Sequence, residues 1–287
     1  MSGTRRESLR EKVNELLKVS SIPSVVCKIL DVTEDKRSNV HDLEKVIEHD
    51  QAISARVVGI SNAVYYGFPR KISSISQAIL VLGFDMVKGL AISTAVFGGM
   101  SASQRQFVTA LWSHSFEAAM TSVLIAEMSG LVNKDSAFLA GLLHDIGKPI
   151  MCQIFGSEYT DIQTEGPGKL IRKEGYLFGG SHDEVGAWFT DKCKLPNDCV
   201  DSIRYHHFPE RYAKDRNGSA YPPLVPIVYL ADVIVHEGQQ RLAEPCAHAS
   251  ISTAHAEAIM ALNVGAEDIE RIKGTVEGLK EQIADYY

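Results

Sequence analysis

The chain has 287 residues, of which 45% are hydrophobic and 23% are charged, and its formal net charge is −7. These values exclude a disordered, collagen-like or disulfide-stapled chain, and a protein of this length can bury a large core without a metal ion to hold it together. The charge is uneven, because residues 1–100 carry 13 basic and 11 acidic side chains whereas residues 101–287 carry 16 and 25. We therefore expect different modules in the two parts.

Composition also bears on partners and location. The basic residues of the first part are scattered rather than gathered into a stripe, so we expect no nucleic-acid partner. Five cysteines without a CxxC pair are typical of a reducing compartment. The charged N-terminus lacks the apolar stretch of a leader, and no apolar run of about 18 residues occurs. The sequence thus predicts a cytoplasmic protein without membrane contact.

The N-terminal part has helical periodicity nearly throughout. Asp50 can cap one helix, and Ser74 or Ser76 can start the segment QAILVL, which ends at Gly83. Residues 84–97 are predicted to form a further helix. Glycines at positions 98 and 99, where the charge balance changes, indicate a boundary.

The second part begins with a predicted long helix over residues 104–128 that Gly130 closes. Residues 156–180 are rich in glycine and lysine and are predicted to form a mobile loop. The segment IVYLADVIV at 227–235 is ambiguous, and we interpret it as a buried helix because no sustained strand-like alternation occurs in the chain. An amphipathic helix follows from Asp268. Three polar residues can cap other helices of this part: Asp135, Ser181 and Asn197.

Histidine is followed by aspartate at four places, so the dipeptide alone carries little information. The pairs are His41-Asp42, His49-Asp50, His144-Asp145 and His182-Asp183. The first two lie in polar turns, where capping and solvation explain them. His144-Asp145 differs because it ends the apolar run AFLAGLL. A metal ion can satisfy both side chains there, and the break at Gly147 lets them face one point, but a buried hydrogen bond between them remains an alternative.

Further polar residues in apolar surroundings extend this pattern: His114, His182, His206, His207 and Asp232. Each by itself can be a core or capping residue. Asp232, within YLADVIV, is the hardest to explain so, because an unpaired buried carboxylate costs several kcal/mol. Together with His144-Asp145 these residues supply five imidazoles and two carboxylates, which is enough for two ions.

The pattern formed by His114, His144-Asp145 and Asp232 resembles the H…HD…D signature of the HD-domain metal-dependent phosphohydrolase superfamily. His182 and His206-His207 resemble the second-metal ligands of its HD-GYP branch. Seven segments in order are most similar to the bacterial HDOD ("HD-related output domain") family, over about residues 20–240. They are SIPSVVCKIL, AILVLGFDMVKGL, LWSHSFEAA, AFLAGLLHDIGK, SHDEVGAWF, LPNDCVDSIRYHHFPE and IVYLADVI.

This resemblance implies an all-α fold, in which an HD-like helical bundle (101–245) follows an N-terminal helical subdomain (1–100) and precedes C-terminal helices (246–287). It also implies two divalent ions, one held by His114, His144, Asp145 and Asp232, the other by His182, His206 and His207 with Asp145 as a bridge. Carboxylate and imidazole ligands favour Fe or Mn, with Zn or Ni as alternatives. Lys148 is similar to the basic residue that lies near the substrate phosphate in catalytic HD proteins, although a solvated helix-end lysine is an equal alternative.

Two positions depart from the catalytic relatives. Phe208-Pro209-Glu210 follows the paired histidines where HD-GYP proteins have GYP, and Ala110 stands where three-metal members have a carboxylate. We therefore expect a regulatory signal-transduction module that binds a signalling protein, with a nucleotide or phosphoester as a further ligand. The alternative is an active phosphohydrolase or phosphodiesterase that uses Asp145 and Lys148 on a nucleotide or cyclic nucleotide. A third hypothesis, DNA binding near Gly83, lacks a basic face.

The other five histidines are expected to lie away from the metal ligands, with His236 at most a neighbour of one. They are His41, His49, His236, His248 and His255.

Overall fold

The computed structural model describes residues 2–18, 24–35, 37–62, 72–98, 100, 104–163, 167–217, 219–240 and 258–283. All regular elements in these ranges are helices, which confirms the predicted all-α fold. The N-terminal helices are α1 (Ser2–Lys18), α2 (Ser24–Glu34), α3 (Val40–Ile47), α4 (Gln51–Ser61), α5 (Ile75–Leu82) and α6 (Phe84–Gly98). The later helices are α7 (Arg105–Ser129), α8 (Lys134–Leu143), α9 (Gly147–Phe155), α10 (Ser157–Thr160), α11 (Pro167–Phe178), α12 (His182–Lys192), α13 (Asn197–Tyr205), α14 (Glu210–Asp215), α15 (Leu224–Gln240) and α16 (Ala266–Ile283).

Side-chain caps begin several of the N-terminal helices, as the sequence predicted. The Asp50 carboxylate accepts hydrogen bonds from the backbone N–H groups of Ala52 and Ile53, both at 3.0 Å, and so starts α4. Ser74 accepts from the Gln77 N–H at the start of α5. These bonds satisfy amides that have no partner within their own helix.

Two predicted caps are wrong. The Asn133 side chain, not Asp135, caps α8, and it accepts a hydrogen bond of 2.8 Å from the Asp135 N–H. Asn197 is the first residue of α13 and not its cap, since the extended residue before the helix is Pro196. In both cases the cap position lies one or two residues before the polar residue that the pattern favoured.

The predicted mobile loop over residues 156–180 is also wrong. The described residues of this stretch contain the helices α10 and α11. Gly156 and Gly179 have φ values of 59° and 89° and end helices, so these glycines mark the sharp turns between helices rather than a long loop. By contrast, residues 227–235 lie within α15, which confirms the interpretation of IVYLADVIV as a buried helix.

The helices of the second part pack against one another. α7 packs against α8 and α15, and α12 packs against α9 and α13. α6 lies against α8, and one cluster of buried apolar side chains runs through both parts of the chain. α16 packs on α7 and α15. The division into domains near residue 100 stays a prediction.

No single helix of the described ranges is long and apolar enough to cross a membrane. The helices α5 and α6 reach the necessary length only as a pair, and they are bent by 111° at the break between them.

Candidate metal centre

Five helices bring the seven predicted ligands into one cluster. They are His114 on α7, His144 and Asp145 directly after α8, His182 at the start of α12, His206 and His207 directly after α13, and Asp232 on α15. The side chains of all seven residues are at most 8% exposed. Two of the residues lie within the long helices α7 and α15, and the other five lie at helix ends. The packing of these helices brings residues that are far apart in sequence together.

The turn between α8 and α9 places Asp145 against α12. Gly147 begins α9, and a Cβ atom added there would lie only 1.9 Å from the His182 carbonyl oxygen. Any side chain at this position would therefore collide with the backbone of α12. The absence of a side chain at Gly147 allows the Asp145 and His182 side chains to approach each other.

Asp145 lies between two sets of side chains. Its Oδ2 atom is 3.4 Å from His144 Nε2 and 3.6 Å from His114 Nε2. Its Oδ1 atom is 3.4 Å from His182 Nε2 and 3.6 Å from His206 Nε2. Each oxygen of one carboxylate thus faces a different pair of imidazoles.

The first set consists of His114, His144 and Asp232, whose ligand atoms lie within 4.8 Å of one another. Asp232 Oδ1 is 3.1 Å from His114 Nε2 and 3.5 Å from His144 Nε2. The two Nε2 atoms are 3.2 Å apart. These three atoms point to a common centre.

The second set consists of Asp145, His182, His206 and His207, and its ligand atoms meet the same 4.8 Å limit. The Nε2 atoms of His182 and His207 are 2.9 Å apart. Asp232 Oδ2 is 3.6 Å from His207 Nδ1, so the two sets adjoin. The candidate ligands therefore form two adjoining groups.

Backbone carbonyls fix the orientation of two of these rings. His144 Nδ1 is 2.7 Å from the Gly141 carbonyl oxygen, and His206 Nδ1 is 2.7 Å from that of Ile203. Because a carbonyl oxygen only accepts, each Nδ1 must donate its proton, and the neutral ring then directs the Nε2 lone pair into the cluster. This is the orientation that a metal-ligating histidine needs.

Several atoms of the cluster lack the partners that burial normally requires. Within the part of the chain that the structure describes, Asp145 Oδ1, His206 Nε2 and Asp232 Oδ1 are buried and form no hydrogen bond of suitable angle, although two imidazole nitrogens lie 3.1 Å from Asp232 Oδ1. Each such group costs about 1–3 kcal/mol. A divalent cation would satisfy all three, and imidazole with carboxylate but no thiolate suits first-row metals such as Fe, Mn, Zn and Ni. The residues therefore fit a divalent metal.

The electrostatics of the cluster favour a cation as well. Burial alone would raise the pKa of Asp145, but Lys148 and His144 hold it well below its usual range. The pKa of Asp232 is also well below its usual range. Burial alone would raise it, but the nearby His236, His114 and His144 outweigh this effect. Both carboxylates are thus ionised at neutral pH. Burial lowers the pKa of His114 to about 4, so this imidazole is neutral and can act as a ligand.

When no cation is bound, His144 carries a second proton in addition to the one on Nδ1. Burial opposes its charged form, but Asp145 and Asp232 overcome this effect and raise its pKa to about 10. The proton compensates the two carboxylates, and a metal ion would take its place.

Lys148 lies in the first turn of α9, and its Nζ atom donates a hydrogen bond to Asp145 Oδ2. The side chain is only 11% exposed. Its pKa is raised, because Asp145 outweighs the effect of burial. The alternative of a freely solvated lysine is therefore wrong, although a role in phosphate binding stays a prediction.

Glu174 on α11 was not predicted from the sequence. Its side chain is fully buried and hydrogen-bonded to His182, and the Tyr159 hydroxyl donates to it. Glu174 lies in a charged stretch, IRKEGY, and nothing in that pattern distinguishes it from a solvated residue. His236 Nδ1 lies 3.1 Å from Asp232 Oδ1, and its ring packs edge-on against His114. The i, i+4 spacing from Asp232 could have indicated this contact.

The remaining histidines do not join the cluster where they are described. His41 and His49 are exposed near the ends of α3 and bond to Glu44 and to the Lys45 carbonyl. His248 and His255 lie outside the described residues.

Comparisons with known proteins agree with this architecture. A candidate phosphohydrolase from Shewanella amazonensis SB2B is 21% identical, with a TM-score of 0.72 and 97% of each chain covered. An HDOD domain protein of unknown function from Geobacter sulfurreducens is 22% identical, with a TM-score of 0.67, and the match covers 98% of this chain and 99% of that one. At these identities the likeness concerns the fold.

An uncharacterized protein from Treponema pallidum is 22% identical over 226 residues, which make up 76% of this chain and 43% of that protein. The chain spans less than half the length of the curated relatives it matches. The family model of the HDOD domain matches residues 19–209, well over half of the sequence. This chain therefore belongs to the HDOD domain family.

Proposed function

We propose that this chain is a regulatory HDOD module of bacterial signal transduction whose second part holds two divalent ions. One observation carries the proposal: the two oxygens of Asp145 face different sets of imidazoles, at 3.4–3.6 Å. A carboxylate in this position can bridge two ions about 3.5–4 Å apart. Fe or Mn is the expected metal, since the donors are nitrogen and oxygen.

The regulatory role rests on two further points. The sequence Phe208-Pro209-Glu210 replaces the GYP segment that accompanies cyclic di-GMP hydrolysis in the related branch. The N-terminal helices are joined to the metal-binding part through the packing of α6 on α8, so a partner bound to one part can affect the other. The expected partner is a signalling protein, with a nucleotide or phosphoester as a second ligand of the metal centre.

The alternative is a metal-dependent phosphohydrolase or phosphodiesterase that acts on a nucleotide or cyclic nucleotide. The full set of seven ligands and the buried Lys148 favour it, and the Shewanella relative is named a candidate phosphohydrolase. Bound divalent ions would supply Lewis-acid chemistry for hydrolysis of a phosphoester. Asp145 would hold them in place, and the Lys148 ammonium would attract the phosphate.

Elemental analysis of protein purified without added metal tests the shared part of both proposals, with about two ions per chain expected. Turnover assays on a panel of phosphoesters with Mn²⁺ or Fe²⁺ then separate them. Activity that Asp145→Ala abolishes would establish the enzyme. Bound metal without turnover on the panel would favour the regulatory module, and protein without metal would contradict both.

A further inference from the structure

We propose that Glu174 is a positioning residue that fixes His182 for the ion of the second set, so that this ion depends on a carboxylate outside the cluster. The inference rests on the proposed metal centre and adds to it a difference between the two sets.

Within the described residues, the hydrogen bonds of Glu174 all involve His182 or Tyr159. Its Oε1 and Oε2 atoms lie 2.9 Å and 2.8 Å from His182 Nδ1. Its Oε2 atom also accepts a hydrogen bond of 3.0 Å from the His182 backbone N–H. The Tyr159 hydroxyl donates to Oε1 at 2.7 Å, and Tyr159 is itself fully buried. Glu174 thus holds both the ring and the backbone of one predicted ligand.

The consequence for His182 follows from hydrogen-bond chemistry. An ionised carboxylate only accepts, so His182 Nδ1 must donate, and its Nε2 atom faces Asp145 Oδ1 at 3.4 Å. A carboxylate partner raises the basicity of a ligating imidazole more than a neutral partner does. His144 and His206 are held by backbone carbonyls instead. Among these three rings, His182 is the one whose Nδ1 atom has a charged partner.

The negative charge of Glu174 is buried and needs a compensating positive charge. Glu174 is 0% exposed, and a buried carboxylate is costly unless a positive charge compensates it. Its hydrogen-bonding partners are a neutral phenol, a backbone amide and an imidazole. A cation bound at His182 Nε2 would lie on the far side of the ring and offset the negative charge. Glu174 therefore stabilises a metal in the second set without touching it.

The test is a Zn²⁺ titration of the full chain against a chromophoric chelator, with the stoichiometry checked by elemental analysis. Glu174→Gln keeps the size of the side chain and removes its charge. We expect this variant to bind one of the two ions about 10- to 100-fold more weakly, as is typical for the partner of a ligating histidine. Glu158→Gln is the matched control, because Glu158 is an exposed glutamate next to Tyr159. It should bind both ions like the wild type.

A double-mutant cycle identifies which ion is affected. In the His206→Ala background, where the second set is already incomplete, Glu174→Gln should leave the affinity for the remaining ion unchanged. Equal weakening of that remaining ion would mean a general loss of structure and would overturn the proposal. If Glu174→Gln does not fold, Tyr159→Phe replaces it, and a severalfold weakening confined to one ion is expected.

The possible failures can be told apart. Wild-type protein that binds no Zn²⁺ would contradict the proposed metal centre itself. Wild-type protein with two ions, both bound unchanged in Glu174→Gln and in Tyr159→Phe, would leave the metal centre in place and overturn only the role of Glu174.

Discussion

The same dipeptide occurs at His49-Asp50, where it lies at the surface beside a helix start, and at His144-Asp145, where it is buried in the candidate metal centre. At the start of α4, Asp50 accepts hydrogen bonds from two backbone amides, and His49 is exposed. After α8, both side chains are fully buried or nearly so, and Asp145 Oδ1 has no hydrogen-bond partner in the described part of the chain. The difference teaches that unsatisfied buried donors and acceptors, not the motif, distinguish a candidate metal site from a helix cap.

Among the variants that test this comparison, Asp145→Ala should have the largest effect on metal binding. Because Asp145 faces both sets, we expect the loss of both ions, an effect greater than the ~10- to 100-fold typical of a residue that only supports a ligand. Elemental analysis measures it. Asp50→Ala is the control and should keep the metal content of the wild type. Equal metal content in Asp145→Ala would contradict the bridging role.

His206→Ala should have the next largest effect, the loss of one ion of the two. His206 Nε2 faces Asp145 Oδ1 and belongs to the second set alone. The stoichiometry should therefore fall by half, with His49→Ala as a matched histidine control. Loss of both ions would show that the two sets do not fill separately.

Metal binding should also stabilise the fold, because the cation satisfies buried atoms that lack partners. Free metal at 100 times its dissociation constant adds about 2.7 kcal/mol to the free energy of unfolding for one site. This corresponds to a rise in Tm of roughly 5–11 °C for a domain of this size. Thermal unfolding with and without a chelator measures it, and Asp145→Ala should show no shift.

The affinity for metal should fall as the pH falls. His144 has a pKa of about 10 without metal, so it is protonated at neutral pH and must lose that proton to bind a cation. Binding should therefore release protons, and acid should compete with the metal. Calorimetry in two buffers of different ionisation enthalpy measures the release. A binding enthalpy that is the same in both buffers would contradict the expectation.

The smallest effect is expected for the N-terminal pair His49-Asp50. Asp50→Ala removes the cap of α4 and should lower the free energy of unfolding by about 1 kcal/mol. Urea denaturation measures this change. Metal content should stay the same, and a reduced content would mean that the N-terminal pair also contributes to the site.

Local signals were sufficient for most of the fold. Caps such as Asp50 and Ser74 act on amides two or three residues away, so the sequence predicts them directly. The stretch 156–180 was misjudged because frequent glycines suggest a loop, whereas Gly156 and Gly179 only end helices. Asp135 was misjudged as a cap because the pattern does not distinguish it from Asn133, two residues earlier.

The candidate site was predictable to a different degree. The seven candidate ligands were noticed as polar residues in apolar surroundings, such as Asp232, and the family resemblance then assigned them to two ions. Glu174 escaped because its burial depends on Tyr159 and His182, which α10 and α12 bring to it from other parts of the chain. No local pattern encodes a contact of that kind.

Gly147 affects the spacing of the candidate ligands without being a ligand itself. It is the joint at which α9 meets α12, and any side chain there would act as a wedge against the His182 carbonyl. A substitution at this joint would push apart the helices that carry Asp145 and His182 while leaving every donor group intact. The position therefore separates the geometry of the centre from its chemistry, and a screen for loss of bound metal would find Gly147 among the predicted ligands although glycine has no donor side chain.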